Sequence, residues 1–128
     1  MLQIVVAPSP ILRQKAEPVA AEELASLRSV ARQMAKLMYK SQGCGLAAPQ
    51  VGLSKRLIVV DTDQHEDERG RLVKNPHCYV NPVITQAWGE EEQSDEGCLS
   101  VPGISIPIKR PSNVVMEALD LDGQPLTV

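Results

Sequence analysis

Only one stretch of this sequence has the periodicity of a helix, so the rest of the chain must find its structure mainly in strands. The stretch reads AAEELASLRSVARQMAKLMYKSQG, with glutamates near its start and Gly43 at its end. Its apolar residues recur at spacings of three and four: Leu24, Leu27, Ala31, Met34 and Met38. Because this spacing puts them on one face, the pattern predicts one amphipathic helix that ends at Gly43.

The segments that follow have the composition of strands. LIVV within KRLIVVD suits a buried strand, whereas DTDQHEDERGRLVKNP is polar and should form an exposed excursion. CYVNPVITQAW indicates two short strands separated at Asn81 and Pro82. Isoleucines alternate in GISIPIKRP, where Pro107 favours an edge position because proline cannot donate a ladder hydrogen bond.

The last segment, NVVMEALDLDGQPLTV, predicts a strand, a turn at Asp122 and Gly123, and a returning strand. One helix near the N-terminus followed by consecutive strands predicts an α+β fold with a mostly antiparallel sheet. The 128 residues are enough for one compact domain, and we expect a single domain over residues 1–128.

Composition excludes several classes of function. With 43% apolar and 23% charged residues the chain has globular usage, and no apolar run is long enough to cross a membrane. The N-terminal MLQIVVAPSP lacks the features of a secretory signal, so we expect a cytoplasmic protein. A net charge of −3, with no phenylalanine to stack on bases, gives no reason to expect direct nucleic-acid binding.

The three cysteines are the first candidates for chemistry. Cys44, Cys78 and Cys98 are odd in number, widely spaced and without a C-x-x-C pair, which fits reduced thiols better than a disulfide framework. Cys98 stands in SDEGCLSVPG, where it could be a buried thiol, a nucleophile or a metal ligand. A cysteine protease would need a histidine base, and the only histidines, His65 and His77, have no motif around them.

A second candidate tract is GCGLAAPQ. Gly43 and Gly45 allow close backbone approach, so this edge could hydrogen-bond an extended ligand, and Gln50 adds a side-chain amide. The alternative is a tight helix exit packed against the sheet. The tract is not a phosphate-binding P-loop, because the Lys and Ser/Thr of that motif are absent.

Taken together, GCGLAAPQ and EGCLS resemble the first two signature motifs of the peptide deformylase family. VGLSKRLIVVD, NP, SVPG and ALDLDG resemble that family's connecting sequence in the same order, and APSPILRQKAEPV resembles its usual start. The resemblance implies a metal-dependent hydrolase that removes the formyl group from N-formylmethionyl peptides. It implies Fe(II) as the usual metal, with Zn, Ni or Co as alternatives.

The resemblance also implies roles for individual residues. Cys98 would be a metal ligand, and the Gln50 side-chain amide and the Leu99 backbone N–H would stabilise the oxyanion. The positions that match the methionine pocket and the substrate-pairing edge are Gly43, Cys44, Gly45 and Gly97. Cys44 stands where the family usually has an aliphatic residue, and we interpret it as part of the pocket wall.

The family's third motif, H-E-x-x-H, is absent from these residues. QHEDER is only a near match, because Arg69 occupies the position of the second histidine and cannot bind a metal. The resemblance places the motif past Val128, so we expect a deformylase-like fold without its C-terminal H-E-x-x-H helix. Such a chain supplies one of three protein ligands, and we expect it to bind no metal and to be inactive alone.

The expected loss of that helix has two further consequences. It would uncover apolar surface, which a second copy or another chain would then cover. It also leaves an alternative function open: a noncatalytic deformylase-like domain that binds a peptide or a partner protein.

Overall fold

The computed structural model describes residues 2–128 of the chain, and Met1 lies outside the described residues. One α-helix, α1 (Leu24–Lys40), precedes all of the strands. In chain order these strands are β1 (Gly45–Ala47), β2 (Leu57–Val60), β3 (His65–Glu66), β4 (Leu72–Val73), β5 (His77–Cys98), β6 (Val101–Leu119) and β7 (Pro125–Thr127). Five of them form one antiparallel sheet in the order β1-β2-β5-β6-β7, and β3 pairs with β4. The predicted α+β class is confirmed.

Helix α1 has the apolar face that the sequence predicts. Leu27, Ala31, Met34 and Met38 are its buried residues. They belong to a core shared with β1, β2 and the start of β5, formed with Leu46, Leu57, Val59 and Val80 among others. Burying this face against the sheet supplies most of the stability of the helix.

The helix ends differently from the prediction. Lys40 is its last residue, and Gln42 takes the left-handed conformation with φ 61°, after which the Gly43 N–H donates to the Met38 carbonyl at 2.9 Å. Gly43 is therefore not the left-handed residue of this end. Its missing side chain matters elsewhere, because a Cβ at Gly43 would lie 2.8 Å from Leu99 Cδ1.

The prediction of two short strands separated at Asn81 and Pro82 is wrong. β5 continues through both residues, and the pairing with β6 shifts register between Val80 and Val83. A bulge of this kind absorbs the positive φ of Asn81, 51°, without ending the strand. Tertiary partners hold the bulge, since the Asn81 side chain accepts from the Val19 N–H and donates to the Val19 carbonyl.

The remaining strand predictions agree with the structure. β2 is buried in alternation, and β6 turns through Asp120–Gly123 into β7. Beyond the body of the sheet, residues 84–96 of β5 pair with residues 106–116 of β6 as a two-stranded extension, here called the ribbon. Pro107 lies in it, where β5 is the one strand that pairs with β6 in the part of the chain that the structure describes. Within residues 2–128, no helix has the length and apolar character needed to span a membrane.

Candidate functional site

The residues predicted from the two motif tracts lie around one open cleft of about 800 Å³. Seven of its lining residues are Gly43, Cys44, Gly45, Gln50, Gly97, Cys98 and Leu99. Residues 101–105, which follow EGCLS in the sequence, also line the cleft, together with Gln42. The fold thus brings together two tracts that are far apart in the chain.

One wall of the cleft is the segment from Gly43 to Gly45, which leads into β1. β1 is an edge strand, and among residues 2–128 it pairs in the five-stranded sheet with β2 alone. Gly45 is exposed, whereas Leu46 is buried on the other face. An exposed strand edge offers unpaired backbone groups to an extended ligand.

Gln50 is oriented by its own turn. It lies in a 3₁₀ turn, Ala48–Val51, and its Oε1 accepts the backbone N–H of Ala47 at 3.0 Å. Because the acceptor end of the amide is occupied in this way, the Nε2 end faces the other motif. There it lies 3.4 Å from Cys98 Sγ and 3.2 Å from Ser100 Oγ.

Ser100 is a residue of the site that the sequence reasoning did not assign. It is 2% exposed, its hydroxyl accepts from Gln50, and its carbonyl accepts the Ala7 N–H at 2.7 Å. The Gln50 carbonyl accepts the Val5 N–H at 2.6 Å. The N-terminal segment therefore ties both tracts together. The only sequence signal for Ser100 was its place in the EGCLS motif.

Cys98 and Leu99 stand where β5 ends. Cys98 is exposed and pairs with Val101 of β6 across the turn that contains Leu99 and Ser100. Gly97 allows close packing here, since a Cβ would lie 3.3 Å from the Ile104 carbonyl oxygen.

Glu96 directly precedes the cleft residue Gly97 and forms a bidentate ion pair with Arg110. Arg110 Nε lies 2.6 Å from one carboxylate oxygen of Glu96, and Nη2 lies 2.7 Å from the other. The hydrogen bonds from Arg110 hold the pKa of Glu96 below its ordinary value. The carboxylate is therefore charged at neutral pH and ties β5 to β6 beside Gly97.

Metal binding requires several donors around one point, and residues 2–128 contain no group of three His, Cys, Asp or Glu side chains that could hold an ion. Cys98 offers one thiol at the cleft, and neither histidine lines it. Cys44, also exposed at the cleft, belongs to its wall. Burial raises the pKa of Cys78 to about 11, so Cys78 stays a neutral thiol. The described residues by themselves do not fit a complete metal site.

A buried polar network centred on Asp61 adjoins the wall formed by Gly43 to Gly45, because the Asp61 N–H donates to the Cys44 carbonyl. The Asp61 carboxylate accepts the Tyr39 hydroxyl at 2.5 Å and the backbone N–H groups of Asn75 and Asp63 at 2.8 and 2.9 Å. Burial alone would raise the pKa of Asp61, but these hydrogen bonds outweigh it and hold the pKa below its ordinary value. Burial, together with Asp61, raises the pKa of Tyr39 to about 12. The network therefore holds a charged carboxylate and a neutral phenol.

Known proteins are similar to this chain in sequence and in fold. The sequence model of the polypeptide deformylase family matches residues 1–128. A peptide deformylase from Thermodesulfovibrio yellowstonii is 40% identical over the whole chain, which covers 73% of that protein, and peptide deformylase 2 from Gloeobacter violaceus is 45% identical over 80% of the chain, covering 52% of that protein.

A solved peptide deformylase structure matches the fold of this chain. The Met-Ala-Ser-bound class I type b peptide deformylase from Acinetobacter baumannii superposes with a TM-score of 0.87 at 34% identity, covering 99% of this chain and 81% of that one. The chain spans between about half and three quarters of the length of the curated relatives named here. The matched sequence, the shared fold and the position of both motifs at one cleft agree: the chain belongs to the polypeptide deformylase family.

Proposed function

We propose that this chain serves the hydrolytic removal of the N-formyl group from peptides that begin with N-formylmethionine. The relatives named above are peptide deformylases, and the family is metal-dependent. The observation that carries the proposal is the position of the Gln50 amide nitrogen, 3.4 Å from Cys98 Sγ. It joins the two motif tracts at one point of a cleft large enough for a peptide end.

The peptide would bind along the edge of β1. A chain that adds to an exposed strand edge gains main-chain hydrogen bonds and places alternate side chains into the cleft. Gly45 leaves this edge uncovered, and the side chain of Cys44 lies in the wall. The Acinetobacter relative was solved with Met-Ala-Ser, which supports a methionine-first peptide as the ligand.

The formyl oxygen would be held by two donors, the Gln50 side-chain amide and the Leu99 backbone N–H. Fixed donors aimed at a developing oxyanion stabilise the transition state without reorganising. Gln50 meets this requirement because the Ala47 N–H fixes its amide. Gly97, beside Cys98, lets the backbone of β5 come close to the ligand.

Cys98 is the ligand that this chain would contribute to the family's metal, for which iron(II), zinc, nickel and cobalt are all suitable. One thiolate does not hold a catalytic metal, because affinity comes from several oriented donors. We expect the purified 128-residue polypeptide to carry far less than one metal ion per chain and to release no formate from formyl-Met-Ala-Ser.

Peptide binding tests the proposal directly. Wild-type chain, its length verified by intact mass, is titrated with formyl-Met-Ala-Ser, Met-Ala-Ser and formyl-Ala-Ala-Ser and followed by amide NMR shifts. We expect the formylated methionine peptide to bind most tightly and to shift Gly45 and Leu99. Gln50→Ala should remove the preference for the formyl group, and Gln33→Ala, on the outer face of α1, should keep it. Equal binding of all three peptides, or none, would overturn the proposal.

A noncatalytic peptide-binding domain is the second candidate, favoured because residues 2–128 contain no group of three His, Cys, Asp or Glu side chains that could hold a metal ion. The two candidates separate when the chain is mixed with Fe(II) or Ni(II) and a segment of a relative that carries H-E-x-x-H. Formate release that depends on both Cys98 and the added segment supports a deformylase. Formyl-peptide binding with no formate release supports the noncatalytic domain.

A further inference from the structure

Gln64, in the polar excursion, contacts the peptide-binding wall from behind. Its Nε2 lies 3.2 Å from the Gly43 carbonyl oxygen and 3.3 Å from the Asp61 carbonyl oxygen. Both partners are acceptors, so the amide nitrogen must face them. Gln64 does not line the cleft, and it can act on a ligand only through Gly43.

The bond to Gly43 orients the backbone of the next residue, Cys44, which lines the cleft. The Gly43 carbonyl and the Cys44 N–H belong to one planar trans peptide unit, so they point in opposite directions. Holding the carbonyl toward Gln64 therefore aims the Cys44 N–H away from the excursion. Backbone groups hold the rest of this segment, because Gly43 N–H donates to Met38 and the Cys44 carbonyl accepts the Asp61 N–H.

We propose that Gln64 is a positioning residue for peptide binding: it fixes the Gly43–Cys44 peptide unit in the orientation that the substrate backbone meets. The proposal rests on the function proposed above. Through this peptide unit Gln64 influences the binding of the peptide main chain and not of the formyl group, so it affects the affinity for any peptide that adds along β1.

The excursion is anchored well enough to hold Gln64 in place. Asp61, at its start, is fully buried and accepts N–H groups from Asp63 and from Asn75, near its other end. Lys74 lies over the Tyr39 ring, 4.8 Å from its centroid. Because both ends of the excursion close onto one carboxylate, the wall is ordered before a ligand arrives, which reduces the entropy lost on binding.

The test uses the full chain and the variants Gln64→Glu and Gln64→Ala, with Gln33→Ala as a matched control. Glutamate has the shape of glutamine, but when ionised it cannot donate to the Gly43 carbonyl. Two quantities are measured: the solvent-exchange rate and shift of the Cys44 amide, and the Kd of Met-Ala-Ser and formyl-Met-Ala-Ser. Thermal melting checks that the variants fold.

We expect Gln64→Glu to shift the Cys44 amide and to speed its exchange. We also expect the Kd of both peptides to rise by about three- to tenfold, the usual worth of one hydrogen bond, with an unchanged ratio between them. Gln33→Ala should match wild type in every measurement. An unmoved Cys44 amide, or an unchanged Kd in a folded Gln64→Glu chain, would overturn the inference.

The same measurements distinguish a failure of the proposed function from a failure of the inference about Gln64. If wild type binds neither peptide, the function fails, while the Cys44 amide still decides whether Gln64 orients this peptide unit. If binding is normal and Gln64→Glu changes only the ratio between the formylated and free peptides, Gln64 acts on formyl recognition and the inference is wrong.

Discussion

The body of the molecule and the ribbon belong to one sheet, yet they are stabilised in different ways. In the body, α1 covers β1, β2 and the start of β5, and Met34, Leu57 and Val80 are completely buried. In the ribbon, Ile84 is 64% exposed, Trp88 50% and Ile106 52%. The body is stabilised by apolar burial, whereas the ribbon depends on strand pairing and on charges such as Glu96 with Arg110.

The contrast shows what the ribbon does for the site. β5 starts in the body and ends at Cys98, which lies beside Gln50 and therefore also at the body. A straight strand, rising about 3.3 Å per residue, would carry Cys98 far away. Register shifts between Val80 and Val83, between Ile84 and Gln86, and between Trp88 and Glu91 bend it. The bent ribbon thus brings the EGCLS motif close to the GCGLAAPQ motif.

The largest difference between the regions should appear when one apolar side chain is removed from each. Met34→Ala should lower the free energy of unfolding by about 2–5 kcal/mol, because a fully buried side chain leaves a cavity. Ile84→Ala should change it by less than about 0.5 kcal/mol, as for other exposed sites. Urea denaturation measures both. A large loss at Ile84 would show that another surface covers the ribbon in solution.

Acid should affect the body next most strongly, through Asp61. Its pKa is lower in the folded state than in the unfolded chain, so the unfolded state takes up the proton first as the pH falls. The stabilisation is complete above the ordinary aspartate value of about 4, and it is lost as the pH falls through the folded-state pKa. Denaturation curves at several pH values, with Asp61→Asn as reference, measure this loss. A wild-type loss no steeper than that of Asp61→Asn would refute the assignment.

Removing a single donor of the Asp61 network should cost less than protonating Asp61, because protonation weakens three hydrogen bonds at once. Tyr39→Phe should lower the free energy of unfolding by about 1.5 kcal/mol, the usual contribution of a hydrogen bond to a charged group. Tyr79→Phe is the matched control, since among residues 2–128 no side-chain hydrogen bond involves its hydroxyl. Chemical denaturation should separate the two variants, and equal losses would count against the network.

The smallest effect is expected for the ion pair of the ribbon. Both partners are partly exposed, so Glu96→Gln should destabilise the chain less than Tyr39→Phe and should do so only at low salt. The local effect of Glu96→Gln should be easier to detect, as a change in the NMR shifts of the Gly97 and Cys98 amides. A salt-independent loss as large as that of Tyr39→Phe would mean that the ribbon is as desolvated as the body.

Sequence reasoning predicted the features that depend on neighbouring residues. The apolar spacing of α1, the LIVV strand and the Asp122–Gly123 turn each have a local physical cause. The continuation of β5 through Asn81 and Pro82 was missed, because the bulge is held by Val19 and by the Arg56 side chain, which donates to the Pro82 carbonyl. No local pattern contains those partners.

The candidate site divides in the same way. The roles of Gln50, Cys98 and Leu99 came from a resemblance between motifs, and the structure places these residues at one cleft, while their roles stay proposals. Ser100 had only its place in the EGCLS motif as a signal, and Gln64 had none. Their part in the site comes from hydrogen bonds that cross the fold, and no local pattern predicts those bonds.

The two backbone hydrogen bonds of the N-terminal segment have a consequence for how the site is assembled. Ala7 and Ser100 are separated by most of the described sequence, and closing so long a loop makes a contact late and slow to form. During synthesis on the ribosome, the segment around Val5 emerges early and must wait for EGCLS before it can pair. The cleft should therefore be among the last parts of the molecule to mature, after α1 and β2 have already docked.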